Sequence, residues 1–543
     1  VSEMELADNT LVDGTLVLVS AEGDVFPFGP ANDAVRTTTT LQAGDYLPIG
    51  PDAEATELTL KLATEGGQIK VTAKDKDGIE TLFTAPALSS AAAEAKFVTD
   101  SVTDKVTGEK TAYRYNTAGQ VTAIIAPLPD GVTSCVPGTP TDGCRVLKLE
   151  YTGTGAATRL SKVSAQVNTD PDRVLSTYTY TAGRLTSQTD AVTGLTTSYT
   201  WTGADPQPKL ASLTPAGQAA YSYDYGTDGK LSKVTRPVPA TAGGGTAQLA
   251  GIVYGVAPAG IAGVDLAQFD RYNLPRTATT GFAVFGPDAL ITSTPAAGDE
   301  SWRRADVWLT DAEGYTIHQG RYGGGQWQLT AAIYDASDNV IESWDAQATA
   351  ELRKGDNSAY PDPLSAATST RYNQDEIKSA DGTAVLVAAR TRVTDVFTPA
   401  AMILAAGADM PEMLRRHVAT TYDQGAPSPG LSLTTTETIT AERLDGTVAE
   451  TLSTTFTGYE ALVSGDKTGW DLKQATSVTL DMNANGTADA SDIRKETRYD
   501  NQGRISEQRQ PGAANSDPGT RATIYWSAGG NARDAACGNQ PKW

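Results

Sequence analysis

Twelve residues near the end of the chain, TRYDNQGRISEQ at positions 497–508, are closely echoed upstream. The echoes are YRYNTAGQVTAI from Tyr113, YTYTAGRLTSQ from Tyr178, YDYGTDGKLSKV from Tyr223 and IYDASDNVIES from Ile333. Each is a Tyr-bearing alternating run, a turn and an outgoing aliphatic run. Ala118-Gly119, Ala182-Gly183, Asp228-Gly229 and Gln502-Gly503 put Gly where a tight turn needs positive φ, which strains any residue with a Cβ. Tyr115, Tyr180, Tyr223 and Tyr499 fall on the incoming strands, and Val121, Leu185, Leu231 and Ile505 on the outgoing ones. Aromatic and aliphatic side chains then meet across each hairpin, worth roughly 0.2–1 kcal/mol per pair.

A lone hairpin is marginal in water, so such units must pair with one another. Elsewhere the period is also two, as in LTLKLATEGGQIKVTAKDKDGIETLF from Leu58, and no stretch sustains a helical period. The expected class is all-β: a continuous strip of antiparallel hairpins with insertions such as PVPATAGGGTAQLAG from Pro237 placed in loops. Three regions follow. Residues 1–100 are strand-rich with Asp13-Gly14 and Asp77-Gly78 turns, and AAAEAKF near Ala91 reads as a short helix or linker. Residues 101–355 carry the densest hairpins, and 356–543 resume them after the polar stretch RKGDNSAYPDPLSAA from Arg353.

With 65 acidic against 43 basic residues the net charge is -22, which repels a phosphate backbone and argues against nucleic-acid binding. No apolar run reaches the ~18 residues of a membrane-spanning helix, and no basic and apolar leader opens the sequence. Cys135 and Cys144 bracket a Pro/Gly/Thr loop with no second Cys or His pair to complete a zinc site, so a local disulfide and an oxidising compartment are expected. Cys537 is left odd, with its partner expected outside the segment. The two histidines, His318 and His417, cannot form a paired motif, and each reads as an incidental surface or strand residue.

The Tyr-Asp or Tyr-Asn hairpin resembles the YD repeat of the RHS family. The best units are Tyr115 with Gly119, Tyr180 with Gly183, Tyr223 with Gly229, and Tyr499 with Gly503; Tyr334-Asp335, Tyr372-Asn373 and Tyr422-Asp423 match in part. Gly143-Cys144-Arg145, Val253-Tyr254-Gly255, Ser464-Gly465-Asp466 with Gly469-Trp470-Asp471, and Cys537-Gly538-Asn539 through Trp543 are similar to segments of large RHS proteins of high-GC Gram-positive bacteria. The resemblance implies a strip spiralling into a hollow shell, or part of one, as in toxin-complex proteins and teneurins. In bacterial members the shell commonly encloses a C-terminal toxin. The paired DP-x-GL motif that ends many RHS cores is missing here, so the chain is expected to be part of a larger secreted or cell-surface shell protein. Its expected partners are the rest of the shell and an enclosed effector. An adhesion protein binding a glycan or protein ligand at the cell surface is the alternative, and a carbohydrate-active enzyme a third.

One local motif stands apart. DMNANGTADASD at 481–492 fits a calcium loop, with Asp481, Asn483, Asn485, the Thr487 carbonyl, Asp489 and Asp492 at the ligand positions and Gly486 at the bend. Oxygen ligands at that spacing suit a structural Ca²⁺, and the same residues are also ordinary Asn/Asp turn formers. The Gly-rich GRYGGGQWQ and TAGGGTAQ lack the Lys-Ser/Thr of a phosphate-binding loop. Asp299, Glu300, Asp306 and Asp311 read as a solvated face rather than a glycosidase pair, and Trp302, Trp308 and Trp327 as strand packing rather than a binding patch. No catalytic residue is nominated.

Overall fold

The computed structural model describes residues 5–9, 15–20, 24–31, 41, 43–50, 53, 56, 58–75, 78–86, 97–105, 107–129, 131–139, 141–203, 207–354, 360, 362–378, 385–404, 410–460, 462–464, 467–500, 503–513 and 518–523. The Asp13-Gly14 turn, Asp77, the stretch at 91–96, Gly465, Asp466, Gln502 and the segment holding Cys537 lie outside them.

Nearly all of the structure is antiparallel β. A sheet of 23 strands runs from Glu5–Asn9 to Gln326–Leu329, and one of 12 from Ala331–Tyr334 to Thr520–Ala522. In the first sheet successive strands pair in sequence order, as at Leu16↔Phe28, Tyr180↔Leu185 and Gly320↔Leu329. The period-two pattern shows as alternating burial: Leu60 and Leu62 are buried while Thr59 and Lys61 are exposed. Among the described residues no helix is long and apolar enough to cross a membrane.

Packing is concentrated in separate clusters. One gathers Leu16, Leu18, Phe28, Tyr46, Val71 and Phe83; another gathers Phe269, Phe285, Trp302, Leu309, Trp327 and Trp344. Between Val146 and Val253 no apolar side chain among the described residues is buried. Eight strands, Arg145–Thr152 through Leu231–Pro237, begin within that interval or at its edge and form a single layer there. Its two faces differ. Tyr178, Tyr180, Leu185, Tyr199, Leu213, Tyr221 and Tyr223 line one, while the other is a ladder of hydroxyls in which Thr189 bonds Thr196 at 2.8 Å and Thr200 bonds Ser212 at 2.6 Å.

The first sheet ends at Thr330. Its N–H donates to the Gln319 carbonyl at 2.8 Å, and its own carbonyl meets His318 Nδ1 at 2.9 Å. A nine-residue helix, Ala346–Lys354, covers this corner, burying Ala348 and Leu352. Arg353 locks it, donating to Gln268 Oε1 at 2.6 Å, Gln326 Oε1 at 2.9 Å and the Trp327 carbonyl at 3.0 Å.

Candidate functional site: tyrosine clamps between hairpins

The repeat's turn explains its Asp or Asn. Asn116 Oδ1 accepts the N–H groups of Ala118 and Gln120, both at 3.0 Å. Asp335 Oδ1 accepts those of Ser337 and Asn339 at 2.8 and 3.0 Å, and Asp311 Oδ1 those of Glu313 and Tyr315 at 3.1 and 2.8 Å. One side-chain oxygen thus satisfies the turn's donors. In the opening segment Asp500 accepts the Arg504 N–H at 3.0 Å and the Arg504 Nε–H at 2.8 Å. Gly119, Gly229 and Gly503 have φ of 79°, 85° and 74°. Ala182 and Gly183, at 49° and 76°, form a two-residue turn.

The Tyr has a second task that its sequence does not announce. Backbone pairing between one hairpin and the next stops short of the turn-bearing edge. The strand Lys209–Thr214 pairs with Tyr221–Tyr225 only at Ser212↔Ser222 and Leu213↔Tyr221. Beyond that point Tyr225 reaches back and its hydroxyl donates to the Leu210 carbonyl at 2.8 Å. The same bond recurs at other seams: Tyr115 to Thr99 and Tyr151 to Val121, both at 2.8 Å, Tyr422 to Val393 at 2.8 Å, and Tyr499 to Ala475 at 2.9 Å. Tyr459 to Thr434 at 3.0 Å and Tyr372 to Val340 at 3.4 Å belong to the series, and Trp201 Nε1–H does the same for Leu185 at 2.7 Å. Tyr334 bonds the Thr316 carbonyl at 2.9 Å, tying the start of the second sheet to the first.

A ladder register shift falls beside most of these residues, as at Asp224/Tyr225, Thr200/Trp201 and Arg498/Tyr499. Such a bulge re-aims the side chain. Burial pushes the phenols of Tyr115, Tyr151, Tyr422 and Tyr499 above their ordinary range, so each stays a neutral donor at pH 7.

In the Gly229 unit Tyr223 carries the repeat signature, but the residue that clamps is Tyr225. Three alternating tyrosines precede the Gly229 turn, and only Tyr225 stands next to it, with Gly226 where other units carry Asp or Asn. Tyr180 faces Leu185 across its hairpin. Trp201 escaped the Tyr-based motif altogether.

Cys135 and Cys144 are joined in a disulfide with Cα atoms 5.4 Å apart. Gln166 Oε1 accepts the Gly138 N–H at 3.2 Å, and Asn168 Oδ1 the Gly143 N–H at 2.8 Å, fixing this loop to the sheet.

The 481–492 loop is braced by its own groups. Asp481 is buried and accepts the N–H groups of Asn483 and Gly486 at 3.2 and 2.8 Å. The amide nitrogens of Asn483 and Asn485 donate to Asp489 Oδ2 at 3.1 and 2.8 Å. The Ser491 hydroxyl and N–H, and after them these two amides, hold the Asp489 carboxyl far below the ordinary carboxylate range. Asn485 Oδ1 accepts from the Thr487 N–H and hydroxyl at 2.8 and 2.7 Å, and Asp492 accepts the Met482 and Asp489 N–H groups at 2.9 and 2.8 Å. Among the described residues no group of three or more His, Cys, Asp or Glu side chains is placed to hold a metal ion.

The other candidates resolve into structure. Asp299 caps Ser301, Asp306 pairs with Arg321 and Glu300 with Arg303, but Asp311 is buried rather than on a solvated face, where it pairs with Arg276. Trp302 and Trp327 are buried in the core, and Trp308 stacks on Phe282 at 4.9 Å. The histidines are not incidental. His318 is buried at the joint between the sheets, its ring tilted against Phe269, and burial pushes its pKa down to about 4. His417 sits between two carboxylates.

Compared as a sequence, the chain matches no protein-family profile and no curated protein. Compared as a structure, it is similar to chains of the TcdB2-TccC3-Cdc42 and TcdB2-TccC3-TEV crystal structures, each at 10% identity and TM-score 0.33 over 92% of this chain. It is likewise similar to the Photorhabdus luminescens Tc holotoxin pore, at 10% identity and TM-score 0.33 over 93%. The chain spans about a quarter of their length, between 23% and 25%. At that TM-score the courses of the chains differ widely, and nothing is carried across from them.

Proposed function

We propose that this chain is a wall section of an RHS-type shell in a secreted or cell-surface bacterial protein, enclosing a C-terminal toxin carried elsewhere in the polypeptide. Its work is containment, without bond chemistry. The observation that carries this reading is the single-layer strip between Val146 and Val253, paired strand to strand and free of buried apolar side chains among its described residues. The YD resemblance supplies the shell, and the clamps supply a means of joining one hairpin to the next.

Particle imaging of the full-length protein tests both parts. The expected result is a thin wall around a void, with density for the effector inside it. A solid multidomain particle would refute the wall, and a void with the C-terminal domain outside it would refute containment while sparing the wall. For the chain alone, small-angle scattering should give a radius of gyration clearly above the roughly 24 Å of a compact chain this long.

A further inference from the structure

Four strands of the second sheet, Thr368–Tyr372, Val393–Phe397, Glu412–Tyr422 and Thr434–Arg443, lie side by side in that order. Phe397 faces His417 across one ladder and His417 faces Thr440 across the next. The imidazole stacks on Phe397 at 4.1 Å. His417 Nε2 lies 2.8 Å from Asp395 Oδ1, and Nδ1 lies 2.8 Å from Glu442 Oε2. A neutral imidazole has one N–H and one lone pair, so it satisfies one of these contacts and sets a lone pair against an anionic oxygen at the other. Both contacts are attractive only when each nitrogen carries a proton.

We propose that His417 is a proton-operated latch at the joint between Val393–Phe397 and the long hairpin Glu412–Arg443, closed when doubly protonated. This joint is the short one: Val393–Phe397 pairs with Glu412–Tyr422 at three positions, whereas the hairpin itself pairs at nine. The Asp395 contact is the one that opens. Glu442 is buried and also held by Arg415 Nη2 at 3.0 Å, whereas Asp395 retains 27% of its side-chain exposure and can turn to water. The remaining charges are on the neighbouring strands. Arg371 stands across from Asp395, and its guanidinium lies 4.7 Å from the Phe397 ring centroid. The Arg415 guanidinium covers the same ring at 4.2 Å. Glu342, on Val340–Trp344, accepts from Ser369 Oγ at 2.5 Å, and burial raises its pKa.

Hydrogen–deuterium exchange of the intact chain tests the latch. After correction for intrinsic exchange rates, protection of Val393–Phe397 should fall roughly tenfold or more between about pH 5 and about pH 8, the loss of one charge-assisted bond. His417→Gln should flatten that profile. Asp395→Asn should keep the joint closed at both pH values, because its amide N–H donates to the neutral Nε2; this arm stands even where His417→Gln fails to fold. Equal wild-type protection at the two pH values would overturn the proposal, as would an Asp395→Asn profile that falls in step with wild type.

Discussion

Acid should loosen the corner where the two sheets meet, through His318. Its Nδ1–H donates to the Thr330 carbonyl at 2.9 Å, while burial lowers its pKa from 6.5 to about 4. The unfolded chain takes up the proton below about pH 6.5, but the folded site refuses it until about pH 4. This contribution is therefore complete above 6.5, declines as the pH falls, and is gone below about 4. A shift of this size corresponds to about 3 kcal/mol in all, of which about 2 kcal/mol is lost between pH 7 and pH 5. Most carboxylates still hold their charge in that window. The assay is denaturant unfolding of wild type and His318→Asn at several pH values. Asn can still donate to Thr330, but it cannot be protonated. The variant should be weaker at pH 7, having lost the ring packed against Phe269, and its stability should fall about 2 kcal/mol less than wild type on moving to pH 5. Parallel curves across that range would show that His318 does not titrate with unfolding, and the reasoning would fail.

Removing one clamp hydroxyl, in Tyr225→Phe or Tyr499→Phe, should cost about 1 kcal/mol, and up to about 3 where the abandoned carbonyl stays dry. Tyr223→Phe, outside the clamp series, should cost less than about 0.5 kcal/mol; denaturant midpoints for the three compare directly. Gly143→Ala should cost about 2 kcal/mol or more, because φ there is +87° and a Cβ would meet Pro129 and Val132 at 2.9 Å. Its readout is faster reduction of the Cys135–Cys144 bond. For the 481–492 loop, melting in calcium and in chelator should coincide, since the loop's own groups satisfy it. A rise of several degrees with one retained calcium would show that Asn483 and Asn485 turn their oxygens to an ion.

The turns were legible because positive φ selects Gly, and the alternating runs because a half-buried strand has period two. The limits of the Tyr motif are equally physical. Asp338, at φ 64°, does a glycine's work after Tyr334, so that unit matched only in part. The clamps were hidden because their acceptors are backbone carbonyls 15 to 32 residues upstream, to which any residue type contributes equally. Trp201 clamps through an indole. The helix Ala346–Lys354 carried a readable signal in its Ala, Leu, Glu and Arg content, overlooked beside the polar connection that follows it. The histidines gave no signal, since what defines each is a contact across the sheet.

A one-layer sheet needs something to replace the second layer that ordinarily buries its apolar face. Along Arg145–Pro237 that substitute is arranged asymmetrically. Hairpins meet through backbone pairs toward one edge, as at Ser187↔Ser198 and Ser212↔Ser222, and through side chains toward the turn-bearing edge, as at Trp201 to Leu185 and Tyr225 to Leu210. Each clamp also makes a hairpin's order depend on its predecessor, giving the nearest-neighbour coupling of repeat proteins. Loop insertions between strands leave that coupling untouched. The Tyr in the 497–508 segment is thus the part that ties its hairpin to the preceding one, while its Asp and Gly only shape the turn.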